Sequence, residues 1–412
     1  MIEWSEQHRM IRDAVRRFVA AEVVPNVEAL EHGDMPPYDI FRKMLSTFGM
    51  DAVAKTRFEH MLARDRAREA GEAQPDRESE GEAGDRSDSA AMQLIPIIEL
   101  CRYCPGMVTA VGVSMGLTSA AILSKGTLEQ KQRWGLDLMT LKKIGAWAIT
   151  EAGSGSDAFG GMKSTARPTE DGGYLLNGSK TFITNGPYAD IIVFICKLDE
   201  EGVAARDRKI VTFVLEKGMP GLTQSKPMRK MGLHSSPTGE LFLQDVKVGP
   251  DRLLGGKEDS RARSGAKDTF SLERSGVAAM ALGIVERCLE LSVRYAKERV
   301  QFGRPIGEFQ LIQDKLARME VARMNIQNLV FRTIEAAGQG RRLSLAEASA
   351  MKLYSARVAT EVALEAVQVY GGNGYMSEYP VEQLARDAKA LQIYAGTDEI
   401  QISAIARDLM AR

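Results

Sequence analysis

Histidine and cysteine are scarce in this chain of 412 residues, with four of each. His8, His32, His60 and His234 are scattered, and none lies near the one closely spaced cysteine pair, Cys101 and Cys104. A structural zinc site needs about four such ligands together, so this Cys-x-x-Cys reads as two thiols on a buried helical turn. Cys196 and Cys288 stand alone, and the four thiols fit a reducing cytoplasm. Net charge is also lacking, at −1, which leaves no bulk attraction for nucleic acid or an acidic membrane. No apolar run approaches the ~20 residues that a membrane span needs. The first residues are neither a secretory signal nor an Arg-rich transit peptide. We expect a cytoplasmic protein with no nucleic-acid or membrane partner.

The length suggests two or three domains of roughly 150 residues. Residues 10–139 carry a mainly helical pattern. Ser5 reads as an N-cap before Glu6 and the amphipathic run Ile11, Val15, Phe18, Val19. Residues 64–89 break the pattern with alternating charge and almost no large apolar side chain, so we expect a solvated insertion, dispensable for folding, with a lid or partner-docking loop as the alternative. From about Ile144 to Val248 the texture becomes short β-type runs: 181–184, 191–195, 211–215 and 240–243. Asp171-Gly172-Gly173, Asn177-Gly178 and Asn185-Gly186-Pro187 read as the turns between them. After Pro250 long helices return, and residues 270–300 contain no proline. The fold class is therefore α+β: an N-terminal helical domain (1–143), a middle β domain (144–249) and a C-terminal helical domain (250–412).

Gly153-Ser154-Gly155-Ser156-Asp157-Ala158 formally fits a dinucleotide fingerprint, but that motif needs a following helix within a βαβ unit. Two more glycines and strand-like sequence follow instead, which excludes the nicotinamide reading. Small residues still let backbone N–H groups approach an anionic or planar ligand. The whole string from Ile149-Thr150-Glu151 to Asp157, taken with residues 368–375 (Gln-Val-Tyr-Gly-Gly-Asn-Gly-Tyr) and Tyr394-Ala395-Gly396-Thr397, resembles the two signatures of the acyl-CoA dehydrogenase family of flavoenzymes. The resemblance covers nearly the whole chain and is weakest at residues 51–89, where the family's Gly/Pro-rich stretch beside the substrate is missing. It implies a helical, β, helical architecture, bound FAD, a homotetramer and electron transfer to an electron-transferring flavoprotein.

The resemblance also implies residue roles. It places Trp147, Ile149, Thr150 and Ser156 of the glycine loop on FAD, together with Phe182 and Thr184 of an aromatic-x-Thr element. Arg299, Gln301, Phe302 and Gln310 look like the family element that reaches the FAD of a neighbouring subunit, and Arg299 supplies a donor fork suited to phosphate. Gln368, Gly371, Gly372, Thr397 and Glu399 join the same cofactor set. Ser156, Arg274, Tyr394, Ala395 and Gly396 are implied for the acyl-CoA substrate.

One position departs. Much of the family carries its catalytic glutamate where Ala395 stands. Glu273 immediately precedes the family arginine, Arg274, as in the isovaleryl-CoA and long-chain branches, which also keep a small residue at the 395 position. One carboxylate is lost and another gained. Glu273 lies near Leu272, Val277 and Met280 at helical spacing, and a base for an acyl α-proton needs an apolar site that raises its pKa. The Ala395 N–H keeps the family's role of hydrogen-bonding the thioester carbonyl. The implied reaction is α,β-dehydrogenation of an acyl-CoA to the trans-2-enoyl-CoA, with Glu273 as base and hydride passing to the flavin. Two alternatives stay open: an acyl-CoA oxidase using oxygen, and a non-catalytic flavin-binding relative. Acyl length and branching are not legible.

Overall fold

The computed structural model describes residues 3–32, 35–72, 83–258 and 262–412. Ser5 accepts a hydrogen bond from the His8 N–H (3.2 Å) and opens α1 (Glu6–Phe18), which buries Val15 and Phe18. There follow α2 (Val27–Glu31), α3 (Tyr38–Thr47), α4 (Met50–Glu69), α5 (Ala83–Cys101), α6 (Pro105–Val111), α7 (Ala120–Lys125) and α8 (Leu128–Met139). A π-helical stretch, Gly112–Ser119, joins α6 to α7. Pro105–Lys125 is thus one helical run of 21 residues, apolar and long enough by composition to cross a membrane. This corrects the expectation that no such run exists; interspersed Gly, Ser and Thr hid it. Here the run is a packed element: Met107, Ala110, Ser114 and Ser119 are buried, and Ser114 Oγ accepts from the Gly145 N–H at 2.9 Å.

The charged segment also differs from expectation. Residues 64–69 continue α4, and residues 83–89 begin α5. Phe58 and Leu62 bury one side of α4, and the helix propagates past them because Arg, Ala and Glu are good helix formers. Polar groups, not an apolar face, then fasten both flanks. Asp65 meets Lys131 of α8 at 2.7 Å, and Asp88 meets the buried His8 ring at 2.9 Å. The rest of that charged stretch, residues 73–82, lies outside the described residues.

The middle region forms a seven-stranded sheet from β1 (Gly145–Ala148), β2 (Thr165–Pro168), β3 (Tyr174–Thr184), β4 (Ile191–Leu198), β5 (Ile210–Glu216), β6 (Leu222–Gln224) and β7 (Thr238–Val248). The order is β1-β4-β2-β3-β7-β6, with β5 on the other edge of β4. β1 and β2 both run parallel to β4 and share one edge of it, at residues 191–194 and 197–198. β4 is buried throughout and splits by period two. Ile192, Phe194, Cys196 and Leu198 enter the core inside the sheet; Ile191, Val193 and Ile195 pack against Ile122 and Trp134 of α7 and α8.

Asn177-Gly178 is not a turn. It lies inside β3 at a register shift, where a Cβ on Gly178 would come within 2.3 Å of Ser164 Oγ. The glycine serves a close strand approach there. Asn185 does turn the chain, at φ 64°, after β3. Its buried amide donates to the carbonyls of Ala110 (2.8 Å) and Gly145 (2.9 Å) and accepts from Tyr38 Oη (2.9 Å).

The chain continues through α9 (Ala262–Glu298), a small hairpin of β8 (Val300–Gln301) and β9 (Arg304–Pro305), α10 (Gln310–Gly338), α11 (Leu345–Tyr370), α12 (Pro380–Ala390) and α13 (Asp398–Met410). Helices from the two ends of the chain bury one common core. Ile95 and Ile98 of α5 join Val277, Ile284 and Leu291 of α9 and Phe331 of α10. α9 is central to this core, so a side chain on it near residue 273 sits where α11, α13 and the loop before α13 converge.

Candidate active site

Glu273 is half-buried on α9, and Val277 and Met280 below it are buried; the Leu272 side chain lies outside the described residues. Burial pushes its carboxyl up to about 7, partly offset by the cations Arg274 and Lys352. Among the described residues this carboxylate makes no hydrogen bond. A salt bridge to Arg274 is not its fate: the buried guanidinium turns away, with Nη1 donating to Ser349 Oγ (2.9 Å) and Nε to the Ala395 carbonyl (3.4 Å). One turn beyond Glu273, no atom of the described residues lies within 4 Å of where a Gly276 side chain would stand.

The loop at residues 394–397 is bound from three helices. Ala395 and Gly396 both take left-handed backbone, at φ 55° and 87°. That region is strained for alanine, and tertiary contacts hold it. Gln401 of α13 donates to the carbonyls of Ala395 (3.0 Å) and Gly396 (2.7 Å), and Lys352 of α11 donates to Gly396 O (2.6 Å). A Cβ on Gly396 would meet Gln401 Nε2 at 2.9 Å, so glycine is required there. With its carbonyl side occupied, the loop leaves the Ala395 N–H without a hydrogen bond among the described residues. Tyr394 Oη points to Met280 Sδ (3.3 Å), two turns along α9 from Glu273. Thr397 is the N-cap of α13, and Glu399 in its first turn is exposed.

The glycine loop follows β1. Trp147 and Ile149 are buried, Thr150 is half-buried and Ser156 exposed. The loop is fastened by Glu151, whose carboxylate accepts from the N–H groups of Lys163 (2.7 Å) and Ser164 (2.9 Å) and from the ammonium of the fully buried Lys180 (2.9 Å). These bonds outweigh burial and hold the Glu151 carboxyl below its ordinary value. Lys180 Nζ also donates to Ile149 O (3.0 Å), and the Thr181 N–H to Thr150 O (3.0 Å), so β3 carries the loop. Two residues on, Phe182 stands 64% exposed at φ 57°, with Thr184 half-buried beyond it. Among the described residues the buried Trp147 Nε1 has no hydrogen-bond partner. An orphaned donor, free hydroxyls and an uncovered ring suit a flat polar ligand.

The other cofactor candidates gather elsewhere. Arg299, Gln301, Phe302 and Gln310 are exposed, and Phe302 stands out at 95% exposure and φ 51°. Gln368, Gly371 and Gly372 are exposed at the end of α11. Tyr295 links these two groups: it stacks on Tyr370 at 4.0 Å between centroids and accepts from the Asn373 amide at 3.0 Å, one turn before Arg299. Among the described residues no hydrogen bond or ion pair joins this second group to the glycine loop. The chain thus brings together Glu273, Arg274, Tyr394, Ala395 and Gly396, and separately Trp147, Ile149, Thr150, Phe182 and Thr184.

Sequence reasoning passed over Lys352, Ser349, Gln401, Glu151 and Lys180. A signal existed for Lys352. Positions 348, 352, 356, 359 and 363 form one buried stripe on α11, and lysine interrupts a row of alanines.

Three family descriptions match the chain: the N-terminal domain of acyl-CoA dehydrogenase at residues 5–57, the middle domain at 146–246 and the C-terminal domain at 264–410. A short-chain-specific acyl-CoA dehydrogenase of Megasphaera elsdenii is 39% identical over 79% of this chain and 83% of its own length. An acyl-CoA dehydrogenase of Bacillus subtilis is 37% identical over 98% of both chains. The solved butyryl-CoA dehydrogenase of Megasphaera elsdenii superimposes with a TM-score of 0.82, at 32% identity and full coverage of both. An acyl-CoA dehydrogenase of Bacillus anthracis solved in complex with FAD gives 0.79 at 28% identity, over 99% of this chain and 68% of the other.

Proposed function

The chain belongs to the acyl-CoA dehydrogenase family and is an FAD-dependent oxidoreductase acting on acyl-CoA, and from that premise we propose that Glu273 is its catalytic base. The observation that carries this reading is the half-buried Glu273 carboxylate beside the Ala395–Gly396 turn, with its pKa pushed up to about 7. A carboxylate of that strength is a competent base near neutral pH. Glu273 takes the α-proton of the thioester, and the electron pair of that C–H bond becomes the new α,β double bond. The Ala395 N–H donates to the thioester carbonyl and stabilises the charge that develops there. Arg274 holds the turn from beneath. FAD, when bound, supplies the hydride acceptor for the β-carbon. Thr150, Thr184, Trp147 Nε1 and the face of Phe182 would hold it, with the Arg299–Phe302 and Gln368–Gly372 segments completing the site on a neighbouring subunit of a homotetramer.

The open space beside Gly276 favours an acyl chain that continues past the base. We assign reoxidation to an electron-transferring flavoprotein, and place the protein in the cytoplasm. Anaerobic mixing with butyryl-, isovaleryl-, octanoyl- and glutaryl-CoA tests the reading: at least one thioester should bleach the bound flavin. A yellow protein that none of them bleaches is a binding relative. Rapid reoxidation of the bleached protein by air alone would instead assign it as an oxidase. Light scattering of the FAD-replete protein should give a tetramer; an FAD-replete monomer would remove the shared site.

A further inference from the structure

Lys352 is a cation at this site that neither the reaction nor the family signatures call upon, and it is fully buried. Its ammonium donates to Gly396 O at 2.6 Å. Resting on the assignment of Glu273 as base, we propose that Lys352 is a positioning residue for proton abstraction: its ammonium fastens the left-handed Ala395–Gly396 turn and keeps a fixed positive charge behind the Glu273 carboxylate.

A turn of two left-handed residues, one of them alanine, does not hold itself. Each of its two carbonyls carries two bonds, one from Gln401 and one from a cation: Arg274 on Ala395 O, Lys352 on Gly396 O. Arg274 and Lys352 therefore grip consecutive peptides from α9 and α11. Rotation of either peptide would break a charge-assisted bond and release the left-handed backbone of Ala395, whose φ sets the line of the N–H that precedes it.

The second role is electrostatic. The charged groups that act on Lys352 are Glu273 and Arg274 on α9 and Asp398 and Glu399 on α13. Asp398 is also tied to Arg357 at 2.8 Å, so it does not cancel Lys352 alone. Burial lowers the Lys352 pKa to about 8, and Glu273 feels both cations. The ammonium favours the carboxylate form of the base at neutral pH. It is itself lost as pH rises past about 8.

The holoenzyme tests this with Lys352→Met, which keeps the length of the stem, and Lys352→Gln, which keeps an uncharged donor. The readout is the rate of anaerobic flavin bleaching by whichever of the four thioesters reacts fastest with wild type, followed from pH 6 to 9. For wild type a bell is expected, with an acid limb near 7 from Glu273 and an alkaline limb near 8 from Lys352. Lys352→Met should lose roughly tenfold or more in kcat/KM at neutral pH, move the acid limb upward and lose the alkaline limb. Lys352→Gln should keep more of the rate while losing the same limb. A merely structural lysine would lower yield or melting temperature and leave the limbs in place, and that result overturns the proposal. If Lys352→Met fails to fold, the limbs of Lys352→Gln decide. Glu273→Gln, run in parallel, separates the two readings. Wild-type rates there remove the base and this proposal with it. An inactive Glu273→Gln beside a wild-type profile for both Lys352 variants removes only the role of Lys352.

Discussion

As the proposed base Glu273 carries opposite demands, because the burial that raises its pKa also costs stability. Glu273→Gln should retain FAD and bind acyl-CoA yet lose about 10²–10⁴-fold in turnover, the usual size of a general-base effect. Installing Glu at position 395 in that variant should restore part of the rate, since the loop beside Glu273 can aim a second carboxylate at the same carbon. Full activity in Glu273→Gln would put the base elsewhere. The linkage to stability has a definite sign. The folded pKa of about 7 lies above the ordinary 4.5, so this group's contribution is complete below about 4.5 and is lost as pH rises through 7. Glutamine never ionises. The melting temperature of Glu273→Gln should therefore gain on wild type between pH 5 and pH 8 in differential scanning calorimetry. A gap that narrows with pH would mean the carboxylate is better solvated in the fold than in the unfolded chain. The proposal for position 273 was legible in the sequence as a carboxylate present there and absent at 395. The arrangement of Arg274 was not, because adjacent charges in a helix read as a salt bridge and only the turn shows a better partner for the guanidinium.

Among the elements, the glycine loop is the least able to support itself. It has few apolar side chains and is held mainly by polar bonds to Glu151, which depends on Lys180. Lys180→Met should cost about 3–5 kcal/mol, because it strands a buried carboxylate. Adding Glu151→Gln should recover much of that, since the unpaired charge is then gone. Urea midpoints of the single and double variants measure this, with FAD release followed in the same samples. A single variant as stable as wild type would show that the pair is not what anchors the loop. The strands themselves were plain in the sequence, since the runs at 191–195 and 211–215 alternate between two cores. Asn177-Gly178 misled because the dipeptide that makes a hairpin turn also makes a bulge, and only the nearness of Ser164 separates the two.

For the whole molecule, the sheet and the helices must be held in register, because the proposed cofactor group around Trp147 lies on the sheet and the proposed base on α9. Asn185 is one fastening: Tyr38 of α3, Ala110 of α6 and Gly145 of β1 all bond to its amide. Asn185→Ala would leave those partners buried and unpaired, at about 1–3 kcal/mol each, and would keep a positive φ without the side chain that tolerates it. A large fall in the denaturation midpoint is expected, with FAD affinity falling alongside it. Loss of stability with unchanged FAD affinity would show that the sheet keeps its place without this contact. The helical ends of the chain add a second fastening by sharing one core, which no separate reading of residues 1–143 and 250–412 could reveal.

Sequence by itself determined what is periodic or contiguous: the succession of helices, strands and helices, the glycine string and the residues of each signature segment. These depend on neighbours within a few residues, where helix and strand repeats translate directly into faces. Tertiary structure decided what depends on residues far apart in the chain. It set Lys352, Arg274 and Gln401 on the two carbonyls of one strained turn. It turned polar flanks into packed helix ends and left Phe302 almost wholly exposed. A buried lysine and a solvated one are the same letter; the difference lies in which helices close over it.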